Sequence, residues 1–326
     1  MRWVSTAAVL LGAAAAACGS NNDESSGSAG GGGWDGAPPP EAYLEPERYD
    51  CTASGPIEPP KRPHALDCYA DASCSSPLVA GHRMANPFAP ENSPSALRAA
   101  ILLGVDIVET DVRMTADGHV VLIHDAEVDR TLEGTGKVNE LSLADIQAMP
   151  MKVAPGEPAG DFSCDRTLTL DEVFDASRGR VVVELEVKDT EAGVASAEYL
   201  RDNDLFGEAF LLCDRGECEA ARAAVPDVPI MSRPQSAAEV SEETSYAPPP
   251  VLVHIDAFFL DPEVDAAIHD VGAKVYANAF TNADIQSISG DYSAYVQVFD
   301  DGIQVLQTEF PQRALTGLGR LEPAPP

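Results

Sequence analysis

Two histidines, His82 and His124, bracket a stretch whose residue types could do acid–base and metal chemistry. Arg83 follows the first histidine. Between the two lie a Glu-x-Asp pair, Glu109 and Asp111, and an Asp117-Gly118 turn. Farther on, the run VVVELEVK carries Glu186 and Lys188. Imidazoles exchange protons near neutral pH. Clustered carboxylates suit hard divalent cations such as magnesium or calcium. Arg83 and Lys188 would neutralise a developing oxyanion. Together these are the parts for metal-assisted chemistry on a phosphate. A lone histidine is usually structural, and His64, His119, His254 and His269 are read that way.

The flanking pattern says which elements would position these groups. Residues 78–83 form a short apolar strand that delivers His82 and Arg83 at its end. Ser93-Pro94 is an N-cap with proline in the first turn, and Gly104 is a helix stop. Residues 105–114 form the next strand. Side chains alternate along it, so Glu109, Asp111 and Arg113 share one face. After the Asp117-Gly118 turn, residues 119–124 form a third strand ending in His124-Asp125. In residues 181–188 the same alternation turns Glu184, Glu186 and Lys188 to one side. Three ionisable groups on one side of an apolar strand are costly unless paired.

The stretch resembles the glycerophosphodiester phosphodiesterase family. The shared pieces are His82-Arg83, Pro90-Glu91-Asn92, Glu109-Thr110-Asp111, Asp117-Gly118, Val120-Val121-Leu122-Ile123-His124-Asp125, Asp129-Arg130-Thr131 and Glu186-Val187-Lys188. Near the end, Thr308-Glu309-Phe310-Pro311 is similar to the family's Thr-Asp-x-Pro. Three departures stand out. Met84 occupies a position where glycine usually follows His-Arg, Ser93 replaces a threonine, and Glu309 replaces an aspartate. Met84 would narrow or reshape the pocket floor. The resemblance implies that Glu109, Asp111 and Glu186 bind Ca2+ or Mg2+, and that His82 and His124 are the acid–base pair. It implies that Arg83 and Lys188 hold the phosphate. The expected reaction splits a small glycerophosphodiester into glycerol 3-phosphate and an alcohol. Two alternatives remain open: a phospholipase C- or D-like enzyme on intact phospholipids, and a non-catalytic barrel lipoprotein.

The chain has 326 residues, a formal net charge of -32 and 44% hydrophobic residues. That apolar share supports a real core. The acidity argues against a nucleic-acid partner, because polyanion binding rests on lysine and arginine. Residues 1–18 read as an export signal: Arg2, an apolar run, then Ala15-Ala16-Ala17 before Cys18. The run is short of the roughly 20 residues that span a bilayer. Cleavage before a lipidated Cys18 is preferred over ordinary secretion with cleavage near Ala17. The expectation is an exported bacterial cell-envelope lipoprotein, anchored to a membrane. Residues 19–50, rich in Gly, Ser and Pro, would be its flexible tether.

Cys51, Cys68, Cys74, Cys164, Cys213 and Cys218 remain, an even number in an exported chain. Cys213 and Cys218 flank a turn-like spacer and are expected to pair. The three in the 51–77 lead-in would staple it to itself or to the Cys164 loop. Beyond the lead-in, residues 78–320 alternate strand and helix, which implies a parallel sheet with helices outside. The expected fold is a single-domain α/β TIM (β/α)8 barrel with an irregular disulfide-stapled N-terminal extension. Nine candidate strands are one too many. Either residues 119–124 hairpin onto the second strand, or one late strand lies outside the barrel.

Overall fold

Alternating strands and helices close into a ring. The computed structural model describes residues 45–60, 65–153, 159–255 and 259–321, all within the compact unit Gly32–Pro326. The expected export segment, Cys18 and the tether up to residue 44 lie outside the described residues, as does His64.

The strands are β1 (Leu78–Gly81), β2 (Ile107–Met114), β3 (Val120–Leu122), β4 (Val182–Val187), β5 (Ala209–Leu212), β6 (Ile230–Ser232), β7 (Leu252–His254), β8 (Lys274–Asn278) and β9 (Val305–Thr308). Eight pair in parallel in the order β1-β2-β4-β5-β6-β7-β8-β9, and β9 returns to β1. The ninth, β3, pairs antiparallel with β2 outside the ring. The extra strand is therefore the hairpin, and the TIM barrel stands.

Local chemistry explains the elements. Ser93 Oγ accepts from Ala96 N at 3.0 Å to start the helix Pro94–Leu103, and Gly104 ends it at φ 77°. Capping boxes start the helices at Ser142 and Thr169. The helix Thr190–Asp202, capped by Asp189, was not evident in the sequence pattern. Its many alanines and charges blur the apolar stripe. The helix Ser293–Asp300 was not evident either.

The barrel interior is filled by Leu78, Ile107, Val182, Phe210, Met231, Leu252 and Val305. A second apolar layer lies between the barrel and its helices. The lead-in closes the end where strands begin. Tyr69 stacks on Phe210 at 5.6 Å, and Lys274 Nζ donates to the carbonyls of Asp71 and Cys74. Three disulfides form: Cys51–Cys164, Cys68–Cys74 and Cys213–Cys218. Each falls within the expected set. Ordered packing starts earlier than the 51–77 lead-in, because Tyr49 is buried edge-on against Phe88.

The chain's last turns are tied to the same end. Asp106, buried, accepts from Val79 N at 2.8 Å and from both terminal amines of Arg320 at 2.8 Å. Removing Arg320 strands a buried carboxylate. Arg320 is 30% exposed, so the loss is less than for a fully buried pair. Arg320→Ala should cost about 2–3 kcal/mol, read as a lower urea midpoint. An unchanged midpoint would show that water replaces the guanidinium at no cost.

Candidate active site

The site is built at the end of the barrel where the strands finish, starting with a reversal after β1. Gly81 has no room for a side chain: a Cβ there would meet the Met84 carbonyl at 1.9 Å. Arg83 and Met84 take positive φ values of 48° and 74°, unusual for residues with side chains. Met84 N donates to the Glu109 carbonyl, and Arg83 N donates to Glu109 Oε2 at 2.7 Å. The reversal is thus clamped onto the next strand. The Met84 side chain is fully buried in the layer between barrel and helices. It does not narrow the pocket floor, contrary to the expectation. Its backbone conformation explains why glycine would suit that position.

Strand register does the next step. Glu109 lies beside Glu184 and Asp111 beside Glu186 on the paired strands β2 and β4. Oxygens of Glu109, Asp111 and Glu186 come within 4.8 Å of one another. Glu109 and Asp111 are fully buried, and Glu109 Oε1 has no hydrogen-bond partner. An all-oxygen donor set with an orphaned buried carboxylate oxygen fits a hard divalent cation.

Cations from several strands interleave with these acids. Lys188 Nζ sits 3.0 Å from Asp111 Oδ1 and 2.9 Å from Glu186 Oε1. Arg233, just after β6, donates to Glu186 Oε1 at 3.0 Å and to Asp214. Arg83 Nη1 donates to both oxygens of Glu91 at 2.9 Å, and its Nε lies 3.8 Å from Asp111. Arg130 bridges Glu91 to Asp125. Asn92, at φ 56°, donates to Asp111 Oδ2 at 2.9 Å and accepts from Thr110.

Both imidazoles are held through Nδ1 by a carboxylate. His82 Nδ1 meets Glu309 Oε1 at 2.8 Å, and His124 Nδ1 meets Asp125 Oδ1 at 2.7 Å. An ionised carboxylate only accepts, so Nδ1 carries the proton and Nε2 is left to react. Burial drags the His82 pKa down, but the Glu309 hydrogen bond and the Glu109 charge more than offset it, and the net shift is upward. His124 shifts downward through burial, with Arg83 and Lys188 adding to it.

The carboxylates separate in the same way. Burial raises Glu109 well above its ordinary range, with Asp111 adding repulsion. Burial raises Glu184 to about 8, only partly offset by the Tyr276 hydroxyl donating at 2.7 Å. Burial also opposes ionisation of Glu186, but Lys188 and Arg233 overcome it and bring that group to about 2.

Of the residues singled out in the sequence, His82, Arg83, Glu109, Asp111, Glu186 and Lys188 converge here. His124 joins them from the β3 side, where its ring feels the charges of Asp111, Arg83 and Lys188. Cys18 is outside the described residues. Glu309, Asp125, Glu91, Asn92, Arg130, Glu184 and Arg233 were given no role from sequence. Glu91, Asn92, Asp125, Arg130 and Glu309 lie inside the shared motifs, and Glu184 on the ionisable face of its strand, so a signal existed. Arg233 had none.

Residues 82–205 match the glycerophosphoryl diester phosphodiesterase family. A glycerophosphodiester phosphodiesterase of Caldanaerobacter subterraneus is 39% identical over 112 residues, 34% of this chain and 45% of that protein. Glycerophosphodiester phosphodiesterase 1 of Bos taurus is 40% identical over 91 residues, 28% of this chain and 27% of that protein. The chain therefore spans less than half the length of these curated relatives. An Agrobacterium tumefaciens glycerophosphodiester phosphodiesterase has a similar structure, with TM-score 0.62 and 22% identity over 73% of this chain and 98% of that one. An Oleispira antarctica phosphodiesterase in complex with the product sn-glycerol-3-phosphate has TM-score 0.62 and 24% identity, over 76% of this chain and 99% of that one.

The pKa shifts give a signed prediction for metal-free protein. Glu184, raised from 4.5 to about 8, binds more protons folded than unfolded, so stability falls as pH rises through that interval. His254, lowered by burial from 6.5 to about 4, acts oppositely, but only below about 6.5. In chelator, the unfolding midpoint should therefore drop between about pH 6.5 and 8. A flat profile there would mean that Glu184 ionises freely in the fold.

Proposed function

We propose that the chain is a glycerophosphoryl diester phosphodiesterase, as its match to that family over residues 82–205 supports, and that it hydrolyses glycerophosphodiesters to glycerol 3-phosphate and an alcohol with a divalent cation bound. The observation that carries this is the pair of imidazoles, each held by a carboxylate through Nδ1, flanking the Glu109–Asp111–Glu186 oxygens, with His82 Nε2 turned toward Glu109 Oε2 at 3.9 Å. The product complex of the Oleispira phosphodiesterase supports glycerol 3-phosphate as the product.

Glu109, Asp111 and Glu186 would hold the cation. When bound it supplies charge to polarise a phosphoryl oxygen. Arg83 and Lys188 orient the remaining phosphate oxygens and offset charge in the transition state. One imidazole Nε2 removes the proton of the glycerol 2-hydroxyl as that oxygen attacks phosphorus. The bond to the alcohol oxygen breaks, and the other imidazole gives that oxygen its proton. A cyclic phosphate results. Water then opens it, with the two imidazoles exchanging roles. Glu309 and Asp125 keep both rings in the working tautomer.

His82→Ala and His124→Ala should each lower kcat on glycerophosphocholine by about a hundredfold or more, with unfolding midpoints near wild type. Chelation should abolish turnover, and added calcium or magnesium should restore it. Full activity in exhaustively chelated protein would refute the metal-dependent reading. Full activity in either alanine variant would remove that histidine from the mechanism.

We also propose that the chain is an exported lipoprotein tethered through Cys18, on the strength of the small residues before that cysteine and the polar run after it. Cys18→Ser should move the protein from the membrane to the soluble fraction, or leave it unprocessed. Unchanged membrane association without a lipid label would reject the tether.

A further inference from the structure

Arg113 occupies the same face of β2 as Glu109 and Asp111, one step farther toward the mouth. The other site cations, Arg83, Lys188, Arg130 and Arg233, each hold a carboxylate within 3.0 Å. Arg113 does not. Its Nε donates to the His124 carbonyl at 2.9 Å, which fixes the guanidinium. Among the described residues, no hydrogen bond or ion pair reaches its terminal amines. Those amines have somewhere to point. Arg113 and Ala126 form the shared wall of two adjoining cavities, of about 420 Å³ beside His124 and Asp125, and about 320 Å³ running on to Asn139 and Glu191. A half-buried guanidinium fixed through Nε, with terminal amines that bond no carboxylate although Asp189, Asp111 and Asp125 act on it from a distance, has donors to offer an anion in these cavities.

The cleft also lies on the more open side of the site. The His124 side chain is 35% exposed, whereas His82 is 15% exposed and covered by Phe280 at 4.8 Å. The glycerol phosphate half of a glycerophosphodiester is constant, and the alcohol half varies. The variable half needs the open side. Accepting the phosphodiesterase reading, we propose that this cleft receives the alcohol portion of the substrate and that Arg113 selects alcohols bearing a carboxylate. Asp189 and Glu191 line the inner cavity, so an ammonium group beside that carboxylate is accommodated as well. An amino-acid alcohol such as serine has both groups at this scale.

The test compares glycerophosphoserine with glycerophosphoethanolamine, which differ only by the carboxylate. With magnesium present, wild type should favour the serine diester in kcat/KM by about tenfold or more. Arg113→Gln should bring that ratio to about one, and Arg113→Lys should restore part of it. The ratio is the readout, because loss of the His124 contact can slow both substrates together. A wild-type ratio at or below one overturns the proposal, as does an Arg113→Gln variant that slows both substrates equally and keeps the ratio. If wild type cleaves neither diester, the phosphodiesterase reading fails separately. The cleft is then judged by calorimetry with O-phosphoserine and phosphoethanolamine. Tighter O-phosphoserine binding that is lost in Arg113→Gln sustains the proposal, and equal affinities overturn it.

Discussion

Four carboxylates, Glu109, Asp111, Glu184 and Glu186, face one another across two adjacent strands, and the rest of the structure answers that crowding. Like charges at this spacing in a poorly hydrated site cannot all ionise unaided. Each therefore has its own form of relief. Burial holds Glu184 largely protonated, although the Tyr276 hydroxyl donating to it works the other way. Glu186 is kept ionised by Lys188 and Arg233. Asp111 takes Lys188 and the Asn92 amide. Glu109 is the least compensated: it accepts the Arg83 backbone N–H on one oxygen, and its other oxygen has no partner. The charge deficit is concentrated where a dication would sit.

The same crowding explains the strained reversal after β1. Three residues with side chains, Arg83, Met84 and Asn92, adopt left-handed backbone conformations within ten positions. Such geometry persists only where surroundings over-determine it. Here Glu109 accepts from Arg83 N through its side chain and from Met84 N through its carbonyl. Asn92 ties Asp111 to Thr110. The backbone strain and the acid cluster are two halves of one arrangement, since the bent backbone supplies donors that the carboxylates need.

Much of this was legible in the sequence because short-range patterns carry it. Two-residue alternation put Glu109 with Asp111 and Glu186 with Lys188. Proline, serine and glycine marked the helix Pro94–Leu103. Partners far along the chain were not legible. Nothing near Arg233 announces a contact with Glu186, because barrel closure creates it. Glu309 was visible only as a departure from aspartate. In the fold it presents a carboxylate to His82 Nδ1, with the second oxygen accepting from Asn86. The helix Thr190–Asp202 was hidden for a different reason. Its buried face is alanine, glycine and serine apart from Leu200, which gives little periodic signal.

The two ends of the barrel divide the energetic labour. The end where strands finish holds buried charge, left-handed backbone and polar atoms without partners, all of which cost stability. The opposite end is closed by the lead-in, with Tyr69 on Phe210, Lys274 on two carbonyls, the Cys68–Cys74 disulfide, and Asp106 joined to Arg320. Strand beginnings and strand ends are joined by the same few residues, so stability gained at one end supports geometry at the other. A short strand such as β1, only Leu78–Gly81, cannot hold His82 and Arg83 in place by its own hydrogen bonds. It is pinned below by Asp106 at Val79 N and above by Thr308 at His82 N. The N-terminal extension therefore supports the candidate site as well as the fold: it packs against the lower ends of strands whose upper ends carry the site's ionisable groups.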